Sequence, residues 1–114
     1  MSGPFEEMSS LDRLVHEPAR LAILTALLAC KSCDYQFLQS LTALTKGNLG
    51  GHLSKLEEGG LISLEKGYKG RVPQTTIRLT PQGRSAIDRH WRRLRALHAA
   101  ARAWGVKQRA PHEE

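Results

Sequence analysis

The chain has 114 residues, of which 40% are hydrophobic and 5% aromatic, a composition suited to one domain with a modest core. Seventeen Lys and Arg against eleven Asp and Glu leave a formal charge of +6, which favours polyanionic partners such as nucleic acid or an anionic surface. No run of ~18 apolar residues is available to span a bilayer, and the first ten residues lack the charged start and apolar stretch of a secretory signal, so a cytoplasmic location without a membrane partner is expected.

Residues 1–9 carry turn formers without periodicity and are expected as a flexible N-terminus. Ser9 or Ser10 can cap a short helix from Leu11, with Leu11, Leu14 and Val15 on one face, ending before Pro18. In "PARLAILTALLAC" the proline suits a first helical position, and Leu21, Ile23, Leu24, Leu27 and Leu28 form a broad stripe to bury. Cys30 continues that apolar pattern, whereas Cys33 falls in the turn "KSCD". Asp34 is a natural cap for a short helix from Tyr35, with Phe37, Leu38 and Leu41 as its apolar residues. Residues 42–44 are the link to a further helix capped by Thr45, whose inner face carries Leu49, Leu53 and Leu56 and which Gly59-Gly60 terminates.

Beyond it, Ile62 and Leu64, then Thr75, Ile77 and Leu79, alternate as half-buried strands do. The intervening "KGYKGRVPQ" is basic and glycine-punctuated, which predicts a hairpin with a protruding loop. Thr80 with Pro81 opens a long helix expected to run to about 104, with residues 105–114 as a flexible tail. The fold class is therefore α+β and mainly helical: a domain over 10–80 with a two-stranded hairpin, continuous with a long C-terminal helix over 81–104.

Two short helices joined by a tight link, a third behind them and a basic hairpin directly after the second make a helix-turn-helix with a wing. Residues 34–41 would support, and residues 45–58 would enter the DNA major groove. At ~100° per residue, Gly47, Gly51, Ser54 and Glu58 point away from the leucine face, with Asn48 and Lys55 beside them. His52 is oblique and either packs at the helix shoulder or meets a phosphate. Asn48 either reads adenine or serves the helix start. In the wing, Lys66, Lys69 and Arg71 carry three positive charges with no acid between them, and Tyr68 adds a phenol that can bond a phosphate or stack.

Along the last helix Ile87, His90, Leu94, Leu97, Ala101 and Trp104 recur at spacings of 3, 4, 3, 4 and 3, with Trp91 beside them. That is a heptad seam, able to pair with the same helix of a second chain or to cover the chain's own core; the length of the helix favours the dimer. Arg89, Arg92, Arg93 and Arg95 lie on its other face. Cys30 and Cys33 form a C-x-x-C pair, readable as a redox or metal site or as a core residue plus a loop thiol; zinc needs about four ligands, and no second cysteine pair exists. No nucleophile with its base, no phosphate-cradling loop and no cofactor motif appears, so an enzyme is not expected.

"PARLAIL" after "LVHE", then "TKGNLGGHLSKLEEGGLI", then "LTPQGRSAI" resemble the ordered signatures of MarR/ArsR-like winged-helix transcriptional regulators, the small winged-helix DNA-binding domain subgroup. The resemblance covers about residues 10–98. It implies a cytoplasmic homodimer that binds double-stranded DNA at a pseudo-palindromic operator, usually as a repressor, with a small-molecule effector as a further partner of unspecified chemistry. Carried over by motif, Thr45, Lys46, Asn48, Gly51, His52 and Lys55 occupy the DNA-facing helix, and residues 66–71 the wing. The chain departs at Gly50-Gly51, where relatives commonly carry a polar and then a basic residue. Two glycines inside a helix cost roughly 1 kcal/mol each against alanine. Gly51 would allow close backbone approach to DNA and Gly50 close approach of a neighbouring helix, so base reading would be modest. The alternative is a winged-helix module that binds protein.

Overall fold

The computed structural model describes residues 11–108. The expected caps Ser9 and Ser10, the start of the chain and residues 109–114 lie outside the described residues. In chain order the elements are α1 (Pro18–Ala29), β1 (Cys33–Asp34), α2 (Tyr35–Thr42), α3 (Lys46–Glu58), β2 (Ile62–Lys69), β3 (Val72–Leu79) and α4 (Pro81–Gln108).

In place of a helix from Leu11, residues 11–17 make a turn in which His16 N–H donates to Asp12 O at 2.8 Å. The Asp12 side chain accepts from Leu14 N–H at 2.9 Å, a local bond that competes with helical pairing. Leu11 and Val15 are nevertheless buried, as their spacing predicts. The cap of α1 is Glu17, whose carboxylate accepts from Ala19 N–H at 2.7 Å while Pro18 takes the first helical position.

Asp34, Thr45 and Thr80 do what their positions predict. Asp34 accepts from Phe37 N–H at 2.7 Å to start α2, and Thr45 Oγ1 accepts from Asn48 N–H at 3.1 Å to start α3. Between these helices Ala43 takes a left-handed conformation, φ 56°, which turns the chain sharply. Thr80 Oγ1 accepts from Gly83 N–H at 2.9 Å and donates to Gly60 O at 2.6 Å. One hydroxyl thus joins the end of α3 to the start of α4. A side chain at Gly83 would overlap the carbonyl oxygen of Leu61, so only glycine admits this approach.

The sheet is antiparallel in the order β1-β3-β2. β2 and β3 pair along their whole length, from Ile62↔Leu79 to Lys69↔Val72, leaving Gly70 and Arg71 as the turn. The protruding loop expected over "KGYKGRVPQ" is therefore a strand ribbon nearly to its tip. The third strand, Cys33↔Ile77 and Asp34↔Thr76, was not expected from sequence. It covers the outer edge of β3 only at its base. Pro73, further out, stands where that edge is open and its missing N–H deprives no partner in β1.

Ile23, Leu24 and Leu27 of α1, Leu38 of α2, Leu49, Leu53 and Leu56 of α3, Ile62 and Ile77 of the sheet and Ile87 of α4 form one buried cluster. Each such side chain contributes about 1.5–3 kcal/mol by leaving water. Of the three apolar residues named for α2 only Leu38 is buried; Phe37 is 47% and Leu41 49% exposed. The cysteines exchange their expected roles as well. Cys33 is buried in β1 against the core, whereas Cys30 is exposed just past the end of α1. α4 runs 28 residues, four past the expected end at 104 and roughly 42 Å in length.

Candidate nucleic-acid interface

α2 and α3 are held at a fixed angle by Tyr35, the first residue of α2, whose hydroxyl donates to Lys46 O at 2.6 Å in the first turn of α3. That carbonyl is the one helix geometry pairs with Gly50 N–H. The phenol consequently lies against residue 50, and a Cβ there would stand 3.1 Å from the Tyr35 hydroxyl. This accounts for Gly50. At Gly51 a Cβ would meet nothing within 4 Å, so no packing demands glycine at that position.

The outward side of α3 comprises Thr45, Lys46, Gly47, Asn48, Gly51, Ser54, Lys55 and Glu58, all exposed, as the periodicity predicts. The hydroxyl of Thr45 is engaged in capping, and the amide N–H of Asn48 is its donor. His52 is set apart. Its Nδ1 lies 3.1 Å from Arg20 Nη1 and 3.2 Å from Glu17 Oε2, so the ring meets the start of α1. His52 thus packs at the shoulder of α3, against Glu17 and Arg20, with its side chain 23% accessible.

The wing carries Lys66, Tyr68, Lys69 and Arg71 exposed, with Tyr68 at 75%. Between the wing, α2 and the start of α3 runs a cleft of ≈590 Å³ whose lining includes Gln36, Gln39, Lys46, Lys69 and Gln74. It brings Lys46 of the helix and Lys69 of the wing to one concavity. Gln36, Gln39 and Gln74 were missed in the sequence, since isolated glutamines carry no pattern; only the fold assembles them. Gln74 Nε2 donates to Asp34 Oδ2 at 3.5 Å across the same cleft. Glu65, the acid nearest the wing, is paired with Arg78 at 3.7 Å.

The seam proposed for a partner chain is divided by the fold. Ile87 is fully buried against α1 and the sheet, His90 is 4% exposed with its Nε2 3.0 Å from His16 Nδ1, and Leu97 is 5% exposed. Trp91 is half-buried and its indole N–H donates to Thr25 Oγ1 at 2.9 Å. Ile87, His90 and Trp91 serve the chain's own fold because the first half of α4 lies on α1 and the turn before it. Leu94 and Ala101 are half-buried, while Trp104 at 44% and Val106 at 65% are exposed. Burial, then the neighbouring His16, holds His90 below the ordinary histidine value, with Arg93 adding to this and Asp12 opposing it.

For the cysteine pair, burial, then the adjacent Cys30 and Asp34, push the Cys33 thiol up to about 11. A thiol held protonated is a poor nucleophile and metal ligand. Among the described residues no group of three or more His, Cys, Asp or Glu is placed to hold a metal ion, and no helix is long and apolar enough to cross a membrane.

A supporting helix, a second helix with an exposed outward face, a ribbon wing flanking the same cleft and a long following helix define the winged helix-turn-helix class of DNA-binding regulators. The pattern of the family described as "Winged helix DNA-binding domain" matches residues 19–98, and the chain belongs to that family. It is 37% identical over 79 residues to the uncharacterized protein MJ0432 of Methanocaldococcus jannaschii, a match covering 68% of this chain and 85% of that one. Among solved structures it is similar to a transcriptional regulator homologue from Pyrococcus horikoshii OT3, with 28% identity, a TM-score of 0.76 and coverage of 84% and 94%. A MarR-family transcriptional regulator from Silicibacter pomeroyi superposes with a TM-score of 0.62 at 26% identity, covering 96% of this chain and 68% of that one.

Proposed function

We propose that the chain is a homodimeric regulator that occupies a pseudo-palindromic operator and represses transcription by excluding the polymerase, without catalysis. The observation that carries this reading is the meeting of Lys46 and Lys69 at one cleft, which brings a cation from the helix and one from the wing to the same concavity. Lys46, Asn48 and Lys55 contact the major groove and its edges, Lys66, Lys69 and Arg71 neutralise phosphates, and Tyr68 bonds or stacks at the tip. Gln36, Gln39 and Gln74 join them as donors along the cleft. Gly51, exposed and without packing reason to be glycine, lets the helix backbone approach the duplex, which makes base discrimination modest.

Trp104 and Val106, exposed on a helix that outreaches its own domain, support pairing of α4 with its copy through Leu94, Ala101 and Trp104. A two-fold dimer would then present its reading helices about 34 Å apart, one DNA turn. A small-molecule effector would act on this spacing.

The test is fluorescence anisotropy with genomic duplex fragments over a salt series, for the native chain and for Lys69→Glu and Arg71→Glu. Each phosphate contact removed should flatten the log–log salt slope by about 0.9. Binding indifferent to salt and to both reversals would exclude the DNA reading. It would favour the protein-binding module instead, for which the exposed pair Phe37 and Leu41 on α2 is the specific support. Sedimentation equilibrium of the native chain against Leu94→Glu tests the dimer, which an unchanged mass would refute.

A further inference from the structure

Two side chains at the start of α1 converge on one atom of α3. Glu17 Oε2 lies 3.2 Å from His52 Nδ1, and Arg20 Nη1 lies 3.1 Å from the same nitrogen. A guanidinium only donates and a carboxylate only accepts, so the two contacts demand opposite states of Nδ1. When the neutral ring carries its proton on Nε2, Nδ1 accepts from Arg20. When Nδ1 is protonated it donates to Glu17, and in the imidazolium form it faces Arg20 as a like charge.

Both partners are held in place independently of His52. Arg20 also donates from Nε to Leu14 O at 2.7 Å and from Nη2 to Arg13 O at 3.2 Å. Glu17 caps α1 through Ala19 N–H at 2.7 Å and lies 3.9 Å from the Arg20 guanidinium. These are the charged groups that face the ring from α1. The preceding turn gives Arg20 the Leu14 and Arg13 carbonyls; of its own charged or titratable side chains, Asp12 accepts from Leu14 N–H, His16 meets His90 and Arg13 is exposed, while on α3 itself Lys55, one turn on, is exposed. The His52 side chain is 23% accessible, so the exchange takes place where partial burial strengthens it.

We propose that Glu17 and Arg20 are positioning residues of the reading helix, and that the proton on His52 Nδ1 selects which of them holds it. His52 follows Gly51 directly, so the strength with which its partner holds the inner shoulder bears on how firmly the outward face one residue away is seated. The donor and acceptor that converge on Nδ1 couple DNA affinity to the proton there through an inward-facing residue rather than through added charge at the interface. The inference rests on the reading of α3 as the DNA-contacting helix.

The experiment compares the native chain with His52→Gln and Glu17→Gln between about pH 8 and 5.5 at constant ionic strength, the span in which histidine titrates. Glutamine offers an acceptor for Arg20 and a donor for Glu17 on separate atoms, so it satisfies both partners at every pH. Duplex affinity is read by anisotropy, and the seating of α3 by backbone amide shifts of residues 46–58 without DNA. The native chain should change affinity about three- to tenfold more than His52→Gln over this range, the factor attached to exchanging one hydrogen bond. Its amide shifts should move where those of His52→Gln do not. Glu17→Gln, which keeps a cap acceptor but loses the charge, should differ from the native chain only at the acid end. Superimposed curves for the native chain and His52→Gln in both readouts would overturn the inference while leaving DNA binding intact. Amide shifts that depend on His52 in a chain that binds no duplex would uphold the proton-selected positioning and overturn the DNA reading.

Discussion

Adjacent glycines in α3 should respond in opposite ways to the same substitution. Alanine in a helix interior is favoured over glycine by about 0.8–1 kcal/mol. At Gly51 a methyl group meets nothing, so Gly51→Ala should realise that gain in full, raising Tm by roughly 4–8 °C for a domain of this size. At Gly50 the same methyl group stands 3.1 Å from the Tyr35 hydroxyl, itself fixed at 2.6 Å on Lys46 O. Relief requires lengthening a hydrogen bond worth about 1 kcal/mol, which cancels or exceeds the helical gain. Gly50→Ala should leave Tm unchanged or lower it, and adding Tyr35→Phe should recover the gain, because the interfering oxygen is gone. Calorimetric or urea unfolding of the native chain and these three variants measures this. Equal stabilisation at both glycines would refute the assignment of Gly50 to close approach. Duplex binding by the more stable Gly51→Ala should weaken, since the methyl group separates backbone from groove.

Gly83→Ala should be among the most damaging single changes, at about 3 kcal/mol or more in urea unfolding, because the added methyl group overlaps the Leu61 carbonyl and no flexible side chain can yield. His90 is held below the ordinary histidine value of 6.5, so the unfolded chain binds the proton more readily. Its contribution is therefore complete above 6.5 and declines as pH falls through 6.5 toward the lowered folded value; the denaturation midpoint should drop on acidification, less steeply in His90→Gln. Iodoacetamide at mildly alkaline pH should label exposed Cys30 well before Cys33, whose thiol is pushed up to about 11, and mass spectrometry after digestion would show the order; equal rates would contradict the burial of Cys33.

What could be read in the sequence was local. Asp34, Thr45 and Thr80 each announce a helix start because an oxygen two or three bonds from the backbone reaches its own next turn, whatever surrounds it. Leu49, Leu53 and Leu56 announce the inner face of α3 for the same reason: helical periodicity needs no tertiary knowledge. Residues whose role is set by a distant partner were illegible. β1 is only two residues long and exists by pairing with Ile77 and Thr76, some forty positions away. That pairing also draws Cys33 inward and leaves Cys30 outside. His52 finds Glu17 and Arg20 across the molecule, and Ile87 with His90 is consumed by α1 and His16, though the heptad spacing continues unbroken past them. At the interface, the basic residues were legible by type; the glutamines between them were not.

The shortness of β1 has a mechanical consequence. Asp34 caps α2 and pairs with Thr76 in the same two-residue segment, so the separation of the supporting helix from the root of the wing is set by covalent geometry, as in a caliper with its jaw locked. Only the four strand pairs from Lys66↔Thr75 to Lys69↔Val72, with the turn beyond, extend past the lock. Ordering a free backbone residue costs about 1–2 kcal/mol, and here that loss on docking is confined to a short outer arm. On the proposed function, sequence changes at the tip accordingly retune how tightly the arm would grip DNA without altering the opening between the jaws.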